Sequence, residues 1–184
     1  MNWQSRADCE AGVAVVANGG LKVPVTLRSR YRVTCVRNGE IVWEDGFDNL
    51  VVTAGLNKLL DAMFKTGLAS PTWYVGLVAN SPSPTYAAGD TTASHAGWTE
   101  SVSYSNATRP TWTPGAVSGG AVDNSAAKAS FTVNATDTIA GAFLADNNTK
   151  GGSTGTLYGE GSFATPRSVL SGDSLSVEID LSAS

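Results

Sequence analysis

The chain has 184 residues, of which 42% are hydrophobic and 15% are charged, and its net charge is −4. This length is sufficient for one domain with a hydrophobic core and an additional arm. The negative net charge argues against a nucleic-acid-binding protein, and no apolar run approaches the roughly 20 residues that span a bilayer. We therefore expect neither nucleic acid nor a membrane among its partners.

The N-terminus and the cysteines both favour a reducing cytoplasm. The first residues lack the basic segment and the long apolar core of a secretion signal, so we expect the protein to be made and kept in the cytoplasm. Cys9 and Cys35 are too few for a disulfide framework. Two reduced thiols are the expected state, and one bridge between the arm and the first strand is the alternative.

The first third of the chain predicts an arm followed by a β-hairpin. Residues 1–27 are expected to form an extended N-terminal arm, because Asn18-Gly19-Gly20 is a turn signal and Pro24 cannot donate a sheet hydrogen bond. Polar and apolar residues then alternate, and Asn38-Gly39 is a strong hairpin turn signal. This pattern predicts two paired strands within residues 28–45.

One amphipathic helix is predicted over residues 54–66. Thr53 is a plausible N-cap and Gly67 a plausible C-terminal glycine. Apolar residues recur with helical spacing, at Leu56, Leu59, Leu60, Met63 and Phe64. We expect this apolar stripe to lie on the sheet.

The remaining chain predicts short strands separated by turns, with Gly76 marking a bulge or a close backbone approach. They are expected at 72–78, 101–105, 109–113, 127–134, 138–146, 156–163, 167–171 and 174–181. This spacing is typical of an all-β protein. The sequence therefore predicts a mainly β fold, an antiparallel jelly-roll-like sandwich formed by residues 28–184.

Residues that could carry chemistry are sparse. His95 is the only histidine, and it lies in a polar loop without a nucleophile motif beside it. One histidine and two distant cysteines do not supply a zinc site. We expect no catalytic residue, no metal and no cofactor, and therefore not an enzyme.

Two groups of residues are candidates for partner contact. No acidic residue lies between Glu10 and Glu40, whereas five basic residues do: Lys22, Arg28, Arg30, Arg32 and Arg37. They form either a solvated face or a docking surface for an acidic partner, and the adjoining arm favours docking.

Trp98 and Trp112 lie beside loops, where they could form an inter-subunit contact or a glycan platform. Core or loop-anchoring positions are the favoured interpretation for both.

Several segments within residues 30–181 resemble a family of small tailed-bacteriophage virion proteins. They include "IVWEDGFDNLVVTAGLNKLLDAMF", "TWYVGLV", "AAGDTTASHAGWTE", "YSNATRP" and "VDNSAAKASFTVNATDTIAGAFL". The family is similar to head-decoration (cement) proteins, and some members carry tail-fibre labels. The resemblance implies a β-rich module on the capsid surface of the virion, assembled as a homotrimer in contact with the major capsid protein.

Two functional hypotheses follow from this resemblance. The first is a cement protein that is made in the host cytoplasm, binds the outer head surface and bridges major capsid subunits. The N-terminal arm and the five basic residues would then be capsid contacts. The alternative is a tail or fibre module for host-surface attachment, with Trp98 and Trp112 as contact residues.

Overall fold

The computed structural model describes residues 25–67 and 69–184 in full, together with the backbone of two short strands nearer the N-terminus. These strands, β1 (Ala14–Val15) and β2 (Leu21–Lys22), pair antiparallel. The rest of the predicted arm up to residue 24, including Cys9, and the side chain of Lys22 lie outside the described residues.

Two antiparallel sheets build the domain. The first contains β3 (Leu27–Arg37), β4 (Glu40–Asp48), β9 (Ala121–Asp123), β10 (Ala129–Thr132) and β13 (Ser174–Ala183). In this sheet β13 lies between β3 and the edge formed by β9 and β10, and β4 is the other edge. The fold class predicted from the sequence, a mainly β antiparallel sandwich, is confirmed.

The second sheet is assembled in a similar way. It contains β5 (Leu50–Val51), β6 (Trp73–Ala79), β7 (Glu100–Ser101), β8 (Thr111–Trp112), β11 (Asp137–Ala145) and β12 (Leu157–Val169). The order is β5, β12, β11, β6, with β7 and β8 both pairing with the outer edge of β6. A short 3₁₀ helix, Ser125–Ala127, joins β9 to β10. The two strands predicted at 156–163 and 167–171 are one continuous strand, β12.

The first hairpin forms as the sequence predicts. Asn38 and Gly39 both adopt positive φ, at 52° and 85°, which is the conformation that a two-residue hairpin turn requires. Along β3, Tyr31, Val33 and Cys35 are fully buried, while the residues between them face outward. The strand begins at Leu27, one residue before the predicted start.

Aromatic side chains fill the space between the sheets. Tyr31 stacks on Phe47 with ring centroids 5.1 Å apart, and Phe47 meets Phe163 of the opposite sheet edge-on at 5.2 Å. Val75 and Leu77 of β6 close the core from the second sheet. Trp43 and Trp73 are partly buried and pack against this cluster.

A second apolar cluster covers the outer face of the second sheet. Phe143 of β11 lies across Gly76 of the neighbouring β6, where a Cβ atom would collide with the phenyl ring. This is the close approach that the mid-strand glycine predicted. Trp98, in the long loop between β6 and β7, packs on Phe143 with ring centroids 5.0 Å apart. The loop therefore forms a lid over the sheet.

The predicted helix is present as α1 (Thr53–Phe64). Its N-cap is Val52 and not Thr53, and no side chain caps it. Gly67 follows with φ 81°, as expected of a glycine just after a helix. No helix in the described part of the chain is long and apolar enough to cross a membrane.

The orientation of α1 differs from the prediction. Gly55 is the only buried residue of the helix and lies directly against the backbone of Tyr158 in β12. Leu59 and Ala62 follow on the same side and are partly buried. The larger part of the expected apolar stripe faces outward, namely Leu56, Leu60, Met63 and Phe64. The prediction that the stripe lies on the sheet is therefore wrong for four of its five residues.

Replacing Gly55 by alanine should destabilise the protein. The new methyl group would overlap the carbonyl oxygen of Tyr158 and lie 2.7 Å from its Cα atom, so the helix has to move. Overpacking of this kind costs about 1–3 kcal/mol, which exceeds the roughly 1 kcal/mol that alanine gains over glycine in a helix. We expect thermal unfolding to show a lower Tm for Gly55→Ala.

The matched control for this variant is Gly89→Ala. A Cβ atom at Gly89 meets nothing within 4 Å, so its Tm should stay close to that of the wild type. A Gly55→Ala variant that is more stable than the wild type would show that the helix does not depend on this backbone contact.

Candidate contact surfaces

The arginines of β3 do not form a free basic face. Arg30 pairs with Asp48 of β4 at 3.1 Å. Arg32 pairs with Glu178 at 2.5 Å and with Asp180 at 2.9 Å, both on the neighbouring β13. Because the acids that pair with them come from adjacent strands, the outer face of the first sheet carries mixed charge.

Arg37 is paired with a buried carboxylate of its own domain. Its guanidinium donates two hydrogen bonds, of 2.7 and 2.8 Å, to the fully buried carboxylate of Asp173, just before β13. These hydrogen bonds hold the pKa of Asp173 down to about 2. The Cys35 thiol also lies against this carboxylate, and its burial raises the pKa of Cys35 to about 11. Arg37 therefore neutralises a buried charge of its own domain.

The charge argument for docking is correspondingly weak. Of the five basic residues singled out from the sequence, Arg30, Arg32 and Arg37 have intramolecular carboxylate partners. Arg28 is exposed and forms no ion pair with the residues that the structure describes. Lys22 lies outside the described side chains. The acidic residues that pair with these arginines lie outside the interval between Glu10 and Glu40. The absence of acids within the interval therefore does not make its surface basic.

Trp98 and Trp112 are not surface residues. Their relative exposures are 3% and 6%, so neither indole offers a platform to a glycan or a neighbouring subunit. Trp98 stacks on His95 with ring centroids 4.0 Å apart, and Trp112 of β8 pairs with Trp73 of β6. As possible loop contacts they are a wrong assignment. The favoured interpretation, that they anchor loops and the core, is confirmed.

A buried carboxyl group lies beneath the β6–β7 loop. Glu160 of β12 is fully buried beside Phe143, and neither of its carboxyl oxygens has a hydrogen-bond partner in the described residues. Burial raises the pKa of Glu160 to about 8, and Asp90 of the covering loop acts in the same direction. The group therefore keeps its proton at neutral pH and resembles an apolar residue more than an acid.

The protonation of Glu160 should make stability fall with rising pH. The unfolded carboxyl loses its proton near pH 4.5, whereas the folded one keeps it to about pH 8. Its contribution is therefore complete below about pH 4.5 and declines by up to about 1.4 kcal/mol per pH unit between these values. Glu160→Gln stays neutral throughout. We expect its Tm, relative to the wild type, to rise by at least about 5 °C from pH 5 to pH 8.

Glu40→Gln is the control for this comparison, because Glu40 is exposed at the end of the first hairpin. Its Tm should follow the wild type at every pH. If the difference between Glu160→Gln and the wild type did not change between pH 5 and pH 8, the buried carboxyl would not be protonated as described.

The outer face of α1 carries a row of exposed apolar side chains. Leu60, Met63 and Phe64 have relative exposures of 51%, 67% and 75%, and Leu56 completes the row. We call these four residues the α1 face. Sequence periodicity located them correctly but assigned them to the core. The signal that could have corrected this is Gly55, since a glycine within a helix often marks a close backbone contact.

An apolar groove adjoins the α1 face. It has a volume of about 430 Å³ and opens at the end of the sandwich where the two sheets and the helix meet. Its walls are apolar side chains from both sheets and from α1, chiefly Leu27, Leu59, Met63, Trp73, Val122 and Leu181. Met63 belongs to both features, so the groove and the α1 face form one continuous surface.

Within the described residues, no group of three or more His, Cys, Asp or Glu side chains is placed to hold a metal ion. His95 is stacked on Trp98, and its Nδ1 atom lies 3.0 Å from the Trp98 carbonyl oxygen. The histidine therefore lies in a loop, as the sequence predicted, and contacts a neighbouring residue of that loop.

A β-sandwich that leaves a continuous apolar surface uncovered is typical of a protein that works in contact with other proteins. A family model described as Podophage GP4 fiber I protein gp80 matches residues 51–182, from β5 to near the end of β13. The chain belongs to this family and is a structural protein of a phage virion. A comparison with curated proteins found no match.

The family match also includes most of the surface just described. It covers the whole of α1 and all the groove residues except Leu27 and Ala183. The predicted resemblance to phage virion proteins is thereby confirmed. The family carries a fibre description and not that of a head-decoration protein, which favours the second of the two functional hypotheses.

Proposed function

We propose that this chain is a structural subunit of a phage tail fibre, which acts by binding neighbouring virion proteins and catalyses no reaction. The observation that carries the proposal is the match of residues 51–182 to a podophage fibre protein family. The exposed α1 face and its groove support it, because apolar surfaces of this extent mark sites of protein interaction. Self-association of the chain is part of this proposal, in a pairwise form and not as the homotrimer expected from the sequence.

The capsid-cement hypothesis has less support. It placed the basic residues of β3 against the major capsid protein, but Arg30, Arg32 and Arg37 already have carboxylate partners within the domain. Separating the Arg37–Asp173 pair would leave a buried carboxylate without its partner. The remaining basic candidates in this hypothesis are Arg28 and Lys22.

Direct glycan binding by the two loop tryptophans is also disfavoured. Aromatic platforms need an exposed ring face, whereas Trp98 is covered by His95 and Trp112 is buried in the sheet. We therefore propose that the chain contributes to host attachment as a building element of the fibre, and that these tryptophans stabilise its fold.

The location and copy number of the chain in the virion test this proposal. Antibodies raised against the purified chain should label the tail of intact phage in electron micrographs. Quantitative mass spectrometry should give a copy number far below that of the major capsid protein, which serves as the internal reference. Labelling over the head, at a copy number comparable to that of the capsid protein, would instead support a cement protein and contradict the fibre assignment.

A further inference from the structure

The outer surface of α1 has no partner within the described chain. Apolar side chains normally gain about 1.5–3 kcal/mol each when they are buried, so a row of large exposed ones is unfavourable in a solitary domain. The charged residues between positions 53 and 65 are all in ion pairs. Lys58 pairs with Asp146 at 3.6 Å, and Lys65 pairs with Asp61 at 2.5 Å. The surface is therefore both apolar and without an unpaired charge.

We propose that the α1 face and the adjoining groove are the surface through which two copies of this chain bind each other. This inference rests on the proposed function in that it names the partner of the surface, a second copy within the fibre. Its test in solution is independent of where the chain is found in the virion.

The charge pattern favours a second copy as the occupant. Identical surfaces repel each other when they carry net charge, whereas a partner of opposite charge is favoured when one sign dominates. All three charged residues between positions 53 and 65 are in ion pairs, namely Lys58, Asp61 and Lys65. Two copies of this surface can therefore meet without like-charge repulsion.

The proposed surface carries a ridge and a groove side by side. The helix forms a ridge, and the groove lies directly beside it, with Met63 on the border between them. In a two-fold arrangement the same patch contacts itself, so the ridge of each copy can enter the groove of the other. Phe64, at the end of the helix, is the most exposed side chain of the ridge and the natural group to enter the apolar groove.

The area is also sufficient for a specific contact. The α1 face leaves several large side chains more than half exposed, and the groove adds apolar walls from both sheets. Two copies of this combined surface would bury on the order of 1,000 Å² in total, which is the area that a biological interface requires. Elsewhere in the described chain, Val25, Ile41 and Val117 are comparably exposed, and none of them lines this groove.

Analytical ultracentrifugation of the full-length chain over a range of concentrations tests the proposal. The wild type should associate as concentration rises to about 100 µM. Phe64→Ala should weaken this association at least 10-fold, as removal of a central aromatic contact does. The double variant Leu60→Glu/Phe64→Glu places charges on both facing surfaces and should sediment as a monomer throughout. Circular dichroism and Tm should be unchanged, because both side chains are exposed.

Ile41→Glu is the matched control. Ile41 is 65% exposed and pairs with Val36 near the hairpin turn, whereas the groove lies near Leu27 at the other end of β3. This variant should associate like the wild type. A wild type that stays monomeric at every concentration would overturn the proposal, as would a double variant that associates as well as the wild type. Neither result would alter the location of the chain in the virion, which the labelling experiment determines separately.

Discussion

The contact between Gly55 and the backbone of Tyr158 determines which side of α1 faces the domain. Because Gly55 has no side chain, the helix lies closer to β12 than it could with any other residue at this position. This approach turns Leu59 and Ala62 toward the sandwich. Helical geometry then places Leu60 and Phe64 on the opposite side and Met63 between the two sides, and all three are exposed. One backbone contact therefore creates the feature on which the functional account depends.

The rest of the sandwich is suited to holding that surface in a fixed position. Its outer polar face is joined by ion pairs across strands, such as Arg32 with Glu178 and Asp180. The buried pair of Arg109 and Glu100, with hydrogen bonds of 2.9 and 2.7 Å, fixes the loops beside β7. Because Arg30, Arg32 and Arg37 are paired within the domain, the proposed contact depends mainly on apolar area and shape.

Local patterns in the sequence were sufficient to predict most of the fold. Asn38-Gly39 determined the first hairpin, because few residues tolerate positive φ at both turn positions. Apolar and polar residues also alternate along β10 and β13, where Phe131, Val177 and Ile179 are fully buried. The helix was located to within two residues at its C-terminal end. These features depend on neighbours that are close in the chain, which is why the sequence alone indicates them.

The contact surfaces could not be predicted in the same way, because they depend on residues that are distant in the chain. Arg32 appeared to be part of a basic segment, yet the acid that it binds lies 146 positions later. The apolar residues of α1 cover a wide arc of the helix. Whether Leu59 or Phe64 faces the core depends on Tyr158, about one hundred residues away. Trp98 is buried because a long loop folds back over Phe143.

The oxidation rate of Met63 tests most directly whether the α1 face is covered by another protein in the virion. Met1 and Met63 are the only methionines, and Met63 is 67% exposed in the isolated chain. Peroxide treatment followed by mass spectrometry gives the rate at which its thioether becomes a sulfoxide. We expect rapid oxidation of Met63 in the monomeric Leu60→Glu/Phe64→Glu variant and a much lower rate of Met63 oxidation in intact phage. Equal rates in the two samples would show that this surface stays open in the virion and would contradict the account.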